Sequence, residues 1–211
     1  IDFLPDGRLI MATHNTAPAP GHPRWLYEQC YEDMWQGYPG SVVLCCAPDT
    51  GVVQVRGIPV PRESIYGGLL GDDPRYFYFT GYMRGHFYRL DLHTNEVRDY
   101  GKIAEYATFR LIKDDRGRIY GGTYSGEIWR YDPEKDAVED TKARFISPLG
   151  TRVRRQCAYA LKSPSGSLFF AGNVDGELME LDPETLAVTR HGFLQLRPEN
   201  PRDLFVSQAV G

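Results

Sequence analysis

The stretch Gly85-His86-Phe87-Tyr88-Arg89-Leu90-Asp91 recurs along the chain and decides the fold. Its features are a glycine, an aromatic or aliphatic pair, and an aspartate six residues after the glycine. The same phrase returns at Gly126–Asp132 and at Gly176–Asp182, and a degenerate copy at Gly40–Cys46 has cysteine in place of the aspartate. The starting glycines lie 45, 41 and 50 residues apart. This period predicts one four-stranded antiparallel unit per copy.

A second strand precedes each copy of the phrase. The runs Gly7–Thr13, Arg75–Gly81, Gly117–Thr123 and Gly166–Gly172 are rich in aromatic and branched residues and follow turn sequences. A further turn and a more polar outer strand come after each phrase. The sequence therefore predicts an all-β chain of four units, each with four antiparallel strands.

The composition agrees with many short strands joined by turns. The 211 residues include 22 Gly, 15 Pro and 14 Tyr, and 42% are hydrophobic, which excludes a disordered chain. The net charge of −4 creates no overall field that would attract DNA or RNA. No run of about 18 apolar residues occurs. We therefore expect no nucleic-acid partner and no membrane span.

The full pattern, Asp-x-Gly-Arg-aromatic followed by Gly-x-aromatic-Arg-aromatic-Asp-Pro, resembles the repeats of the β-propeller superfamily. It is most similar to streptogramin-lyase-like, SMP-30-like and NHL-like propellers, from residue 1 to about 195. The resemblance implies blades that run from an innermost strand A to an outermost strand D, with a ligand at one mouth of a central channel. The predicted blades cover about 1–58, 62–103, 106–146 and 152–196, with an extra strand at 202–210.

Two ring sizes agree with this pattern. The strand at 202–210 could pair with the first blade and close a four-bladed ring, or the chain could supply four consecutive blades of a six- to eight-bladed ring. We favour the larger ring, because residues 1–4 already resemble the end of a strand A and make the last strand redundant. On this interpretation residues 1–211 are a single propeller domain or a fragment of one.

An insertion interrupts the first blade. Residues 14–39 replace a connection of only a few residues in the other blades, and they contain Trp25, Tyr27 and Trp35. Because B–C and D–A loops share one face of a propeller, we expect this insertion to hang over the channel entrance and to stack its rings on a ligand. The alternative is that the insertion packs on a neighbouring blade or on another subunit.

Further candidate residues lie in loops of the same predicted mouth. The ligand-binding candidates are Arg84, Arg110, Tyr124, Arg152, Arg154 and Arg155. Arginine forks match carboxylates and phosphates, so we expect an anionic ligand such as an acidic sugar, unless these arginines pair with carboxylates between blades.

The catalytic candidates are His14, Tyr82 and His86, because a histidine and a tyrosine could act as base and acid in elimination from an acidic sugar. No cofactor is evident from the spacing of potential ligands, although the histidines could hold a divalent metal ion. The streptogramin-lyase type uses a His/Glu metal cluster whose positions we do not find in this sequence.

Three functions remain open at this point. The favoured one is a binding propeller that holds a glycan, an anionic small molecule or a protein partner at its mouth. The second is a propeller enzyme, of polysaccharide lyase or lactonase-type hydrolase activity, and the third is a structural subunit of a larger assembly. The four cysteines lack any CxxC spacing and leave the compartment open, with an extracytoplasmic, secreted protein slightly favoured.

Overall fold

The computed structural model describes residues 1–14, 40–82, 84–105, 108, 110–123, 125–145, 157–172 and 177–193. Within these residues the chain forms sixteen strands and no helix. The strands make four sheets, and each sheet contains four consecutive antiparallel strands in chain order, which we call A to D. The predicted all-β class with four four-stranded units is therefore confirmed. No helix of the described part is long and apolar enough to span a membrane.

Each sheet corresponds to one predicted blade, and the blades keep the numbers 1 to 4. Blade 1 contains β1 (Asp2–Phe3), β2 (Leu9–Ala12), β3 (Val43–Ala47) and β4 (Val52–Gly57). Blade 2 contains β5 (Ser64–Leu70), β6 (Tyr76–Tyr82), β7 (His86–Asp91) and β8 (Val97–Lys102). Blade 3 contains β9 (Leu111–Lys113), β10 (Ile119–Gly122), β11 (Glu127–Asp132) and β12 (Ala137–Arg144). Blade 4 contains β13 (Cys157–Lys162), β14 (Leu168–Gly172), β15 (Glu177–Leu181) and β16 (Val188–Phe193).

The repeated aspartate shapes the turn between strands C and D. Asp91 Oδ1 accepts hydrogen bonds from the backbone N–H groups of His93 and Thr94, at 2.8 and 3.2 Å. Asp132 and Asp182 accept an equivalent bond from the residue two positions later. A short carboxylate that bonds the backbone two residues on is a local turn former. The motif that reveals the repeat therefore specifies turns.

The hydrophobic core consists of three seams, each between the facing sides of two successive blades. The first seam, between blades 1 and 2, buries Ile10, Val43, Cys45, Ile65 and Phe79. The second seam buries Tyr78, Phe87, Ile119, Trp129 and Tyr131, and the third buries Ile128, Phe145, Phe170, Met179 and Leu181. Each fully buried large side chain contributes about 1.5–3 kcal/mol. The seams therefore supply most of the energy that holds the blades together.

The carboxylate of Asp136 links the two sides of the second seam. Asp136, in the turn before β12, accepts hydrogen bonds from Arg89 at 3.1 Å and Tyr131 at 2.9 Å, and from Arg98 and Tyr100. Burial raises the pKa of Asp136, but these hydrogen bonds and the two guanidinium charges outweigh burial and hold the pKa below its usual value. Blades 2 and 3 are therefore joined by an ionised carboxylate as well as by apolar contact.

Blade 1 presents an apolar face on the side away from blade 2. On that face Ile1, Phe3, Val53 and Val55 are 79%, 65%, 52% and 66% exposed. Strand register puts four partly buried side chains beside them, namely Leu9, Met11, Leu44 and Cys46. Contiguous exposed apolar patches usually mark an interaction surface.

Candidate functional site

The connections between strands B and C lie at the same end of every blade as those between strands D and A, and we call this the mouth end. His14, which follows β2, reaches blade 2 at this end and contacts the start of β5 and the end of β6. The group formed by His14, Ser64, Tyr66 and Tyr82 is named the mouth cluster below.

Buried serines fix the imidazole of His14. Ser64 Oγ lies 2.6 Å from His14 Nδ1 and 3.5 Å from Ser41 Oγ, which in turn accepts a 2.9 Å hydrogen bond from the backbone N–H of Ile65. Ser41 and Ser64 are fully buried, whereas His14 is exposed. Burial of part of the ring lowers the pKa of His14, although a backbone hydrogen bond to Ile65 opposes this change. The imidazole is thus neutral near pH 7, with one ring nitrogen able to accept a proton.

Three aromatic rings pack edge-on or tilted around this hydrogen bond. The centroid of the His14 ring lies 4.8 Å from that of Tyr66 and 5.8 Å from that of Tyr82, and the two tyrosine rings are 5.4 Å apart. Tyr82 is 5% exposed and Tyr66 is 41% exposed. Tyr82 therefore forms the buried backing of the cluster, whereas Tyr66 and His14 are exposed residues.

A buried carboxyl lies next to the mouth cluster. Glu63 directly precedes β5 and is 1% exposed, and its Oε2 accepts a hydrogen bond from the hydroxyl of Tyr88. Its Oε1 has no hydrogen-bond partner among the described residues, and Arg84 Nη1 is 4.0 Å from Oε2. The absence of a side chain at Gly81 makes room, because a Cβ there would overlap the Glu63 carboxyl. Burial raises the pKa of Glu63, with Tyr88 and Arg84 opposing this shift.

The catalytic candidates do not all meet at one point. His14 and Tyr82 are in ring contact, whereas His86 lies on β7 with its Nδ1 3.0 Å from Asp99 Oδ2 and its ring stacked on Tyr88. His86 is thus held against the outer strand β8. The predicted base and acid pair therefore reduces to His14 and Tyr82, and Tyr82 is the more buried member.

The other predicted site residues fall into two groups. Arg84 is half exposed at the mouth end, and Arg110 is exposed immediately before β9. The remaining candidates lie outside the described residues, namely Trp25, Tyr27, Trp35, Tyr124, Arg152, Arg154 and Arg155, as do the insertion from residue 15 onward and the predicted strand at 202–210.

Sequence reasoning missed Ser64 and Tyr66. Ser64 orients the His14 ring through a hydrogen bond, and the Tyr66 ring packs edge-on against it. The run Glu63-Ser64-Ile65-Tyr66 has the composition of an ordinary strand start, and no motif distinguishes it. The one signal in the sequence was the position of this run at the start of a strand A. In a propeller, that position lies beside the B–C connection of the preceding blade.

Metal chemistry finds no support in the described part of the chain. No group of three or more His, Cys, Asp or Glu side chains is arranged there to hold a metal ion. Cys45 is buried and Cys46 partly buried, and both are free thiols. What this part of the mouth offers is a neutral imidazole, an exposed phenol ring and a half-exposed guanidinium.

Comparison with known proteins gives matches in structure alone. No protein-family model matches the chain, and no curated protein matches its sequence. Virginiamycin B lyase from Staphylococcus aureus matches with a TM-score of 0.61 at 10% identity, over 90% of this chain and 61% of the lyase. A β-propeller domain from Myceliophteria thermophila matches with a TM-score of 0.56 at 12% identity, over 72% of this chain and 52% of that domain. The fold is a β-propeller.

A third propeller match is a putative 6-phosphogluconolactonase from Bacteroides uniformis, with a TM-score of 0.52 at 14% identity over 74% of this chain. The chain spans between 51% and 61% of the length of these three solved structures. At such low identity the likeness establishes the fold, and the propeller fold hosts many functions. The function of this propeller must therefore be argued from its own side chains.

Replacement of Glu63 by glutamine tests the electrostatics of the site. Because the pKa of Glu63 is raised in the folded state, its favourable contribution is fully present below pH 4.5 and is lost as the pH rises through the folded value. We expect Glu63→Gln to increase the free energy of unfolding near neutral pH by about 1–3 kcal/mol. The gain should vanish below pH 4.5, where both side chains are neutral, as measured by urea unfolding across this pH range.

The exposed Glu96 provides the control, since Glu96→Gln removes a charge that water already solvates. This variant should follow the wild-type pH profile. If Glu63→Gln is instead less stable than the wild type near neutral pH, the ionised Glu63 is a net link between Tyr88 and Arg84.

Proposed function

We propose that this propeller is a binding module, and that its ligand is a sugar-containing molecule held at the mouth end by His14 and Tyr66. The observation that carries the proposal is the exposed ring of Tyr66, packed edge-on against His14 and backed by the buried Tyr82. Exposed aromatic faces next to hydrogen-bonding groups are the usual composition of sites for ligands that have both apolar and polar surfaces.

The mouth cluster is ordered before any ligand arrives. Ser64 holds the His14 ring from the buried side, and Tyr82 supports both exposed rings from below. A site whose side chains are already fixed loses little conformational entropy on binding. This supports recognition by a rigid aromatic surface.

The charge near the cluster favours an acidic sugar as the ligand. Arg84 is half exposed, and the carboxyl nearest to it belongs to Glu63, whose pKa is raised by burial. The 4.0 Å separation between Arg84 Nη1 and Glu63 Oε2 is longer than a hydrogen bond, so the guanidinium of Arg84 keeps N–H donors for a ligand. A ligand carboxylate can then form the charge-assisted hydrogen bonds that guanidinium groups favour.

Screening on a glycan array, followed by titration of the best acidic oligosaccharide, tests this proposal. Tyr66→Ala should weaken binding by about tenfold or more, because the stacking surface is lost, whereas Tyr66→Phe should retain most of the affinity. Phe3→Ala is the control, because Phe3 is an exposed ring, at 65% against 41% for Tyr66, and lies on the outer face of blade 1 away from the mouth cluster. Equal losses in Tyr66→Ala and Phe3→Ala, or no glycan binding at all, would contradict the proposal.

A lyase or lactonase-type activity at the same cluster is the second candidate. The observation that favours it is the lowered pKa of His14 together with the 2.6 Å contact between its Nδ1 and Ser64 Oγ, which fixes the orientation of the ring. A neutral, oriented imidazole is a suitable general base. Tyr66, as the exposed tyrosine, is better placed than Tyr82 to reach a substrate.

Incubation with acidic polysaccharides and with sugar lactones separates this candidate from simple binding. A lyase yields an unsaturated product that absorbs in the ultraviolet, and a lactonase releases acid. His14→Gln should then lower turnover by about a hundredfold or more and weaken binding much less, because general-base catalysis contributes on that scale and Gln keeps a hydrogen-bonding group. Tight binding by the wild type without turnover of either substrate class would leave the binding module as the function.

The apolar outer face of blade 1 supports a further proposal about assembly. We infer that the four blades belong to a six- to eight-bladed ring, in which a further blade of the same repeat covers this face. The other side of the same sheet packs on blade 2 through Ile10 and Val43. A further blade packed on the exposed Phe3, Val53 and Val55 would form one more seam of the same kind. In that ring the chain would also be the structural part of a larger assembly, which is the third of the functions that the sequence leaves open.

Substitution in strand β4 tests whether the face is covered in the natural full-length protein. Val53 points to the outer face, and its neighbour Val52 points to the other side of the sheet. If a blade covers the face, Val53→Glu should lower the free energy of unfolding by about 2 kcal/mol or more, because a charge would be buried there, and Val52→Glu should have a small effect. Small, equal effects would indicate that the face is open to solvent.

A further inference from the structure

A groove of about 380 Å³ lies between blades 1 and 2, at the end opposite the mouth. It is formed by the A–B connections of both blades, the C–D connection of blade 2 and the outer strands of blade 1. The mouth cluster uses B–C and D–A connections, so the two sites share the first seam and no residues.

Three guanidinium groups line this groove, and two of them have carboxylate partners. Arg8 Nη2 lies 2.8 Å from Asp6 Oδ2, and Arg75 pairs with Asp91. Asp73, the other carboxylate of the lining, accepts a hydrogen bond from the backbone N–H of Arg75 at 2.9 Å.

Arg56 is the guanidinium without a partner. Its Nε is buried and has no hydrogen-bond acceptor among the described residues, and no ion pair joins it to a described carboxylate. A buried donor without an acceptor costs about 1–3 kcal/mol. The guanidinium of Arg56 lines the groove, so a ligand anion could pair with its charge without displacing a carboxylate of the described residues.

The equivalent groove between blades 3 and 4 shows what is missing. There Arg118 occupies the position that Arg8 has in the A–B turn, and Glu184 occupies the position of His93 in the C–D turn. Arg118 donates hydrogen bonds to Asp114 at 2.6 Å and to the Glu184 carboxylate across the seam. The fold therefore places a carboxylate of the next blade against this arginine, and in the first seam a histidine replaces it.

We propose that the groove between blades 1 and 2 binds a small organic anion, whose carboxylate or phosphate group fills the position that Glu184 occupies in the third seam. Arg8 and Arg56 would bind the charged group. The apolar body of the ligand would contact Leu4, Pro74 and Leu92, which line the same groove. The volume is within the range of about 300–1,000 Å³ that is typical of small-molecule sites.

Titration calorimetry with phenyl phosphate, benzoate and benzyl alcohol tests the site. These probes share one aromatic body and differ in charge, so the groove should bind the two anions at one site per chain and should not bind the alcohol. Inorganic phosphate, added as a competitor, distinguishes a ligand phosphate group from a ligand carboxylate. If inorganic phosphate displaces phenyl phosphate, the site is assigned to phosphate groups. If inorganic phosphate does not displace benzoate, the site is assigned to carboxylates.

Two variants of the groove and one matched control localise the binding. Arg56→Gln should lower the affinity for both anions by about tenfold or more, since a charge-assisted hydrogen bond is lost. His93→Glu should abolish binding, because it reproduces Glu184 and supplies an internal carboxylate for Arg8. Arg116→Gln, which removes a guanidinium from the equivalent groove of the third seam, should leave binding unchanged.

Thermal unfolding without ligand guards against a folding artefact. His93→Glu should melt at the wild-type temperature or above it, because the new carboxylate gains Arg8 as a partner, so its loss of binding cannot come from unfolding. Absence of saturable binding by both anions, equal binding of benzyl alcohol, or an equal loss in Arg116→Gln would overturn the proposal.

Discussion

Burial of one blade against the next is the interaction on which the rest of this structure depends. A four-stranded antiparallel sheet with apolar residues on both faces cannot be stable alone in water, and it needs a neighbour on each side. The aromatic side chains of blades 2 and 3 show the result, since Tyr78, Phe87 and Trp129 are buried only because the two sheets face each other. The exposed outer face of blade 1 is the same kind of surface without a described neighbour.

The first seam also creates the chemistry. At the mouth end it brings Ser41 and His14 of blade 1 to Ser64 of blade 2, and at the other end it brings Arg56 to the turns of blade 2. The apolar centre of the seam separates the two ends. The seam therefore carries two separate candidate sites, each defined by the loops that flank it.

Comparison of equivalent positions is informative because the blades repeat. Glu184 and His93 occupy the same place in their turns, yet Glu184 forms an ion pair with Arg118 of the preceding blade, whereas His93 supplies no carboxylate to Arg8. The likeness to other propellers cannot supply this information, since at 10–14% identity it extends to the fold alone. Function in this fold follows from departures from the repeat.

The sequence by itself determined the all-β class and the four four-stranded units that the described residues form. The alternation around Phe87 and Leu90 and the turn-forming Asp91 are local features, and local features specify strands and turns. Which side chains meet was decided by the tertiary structure alone. Ser64 and His14 lie 50 positions apart, and His86 faces the outer strand although it flanks a B–C connection, as His14 does. The physical reason is that contacts across a seam depend on how two sheets pack, and no spacing within one strand encodes that packing.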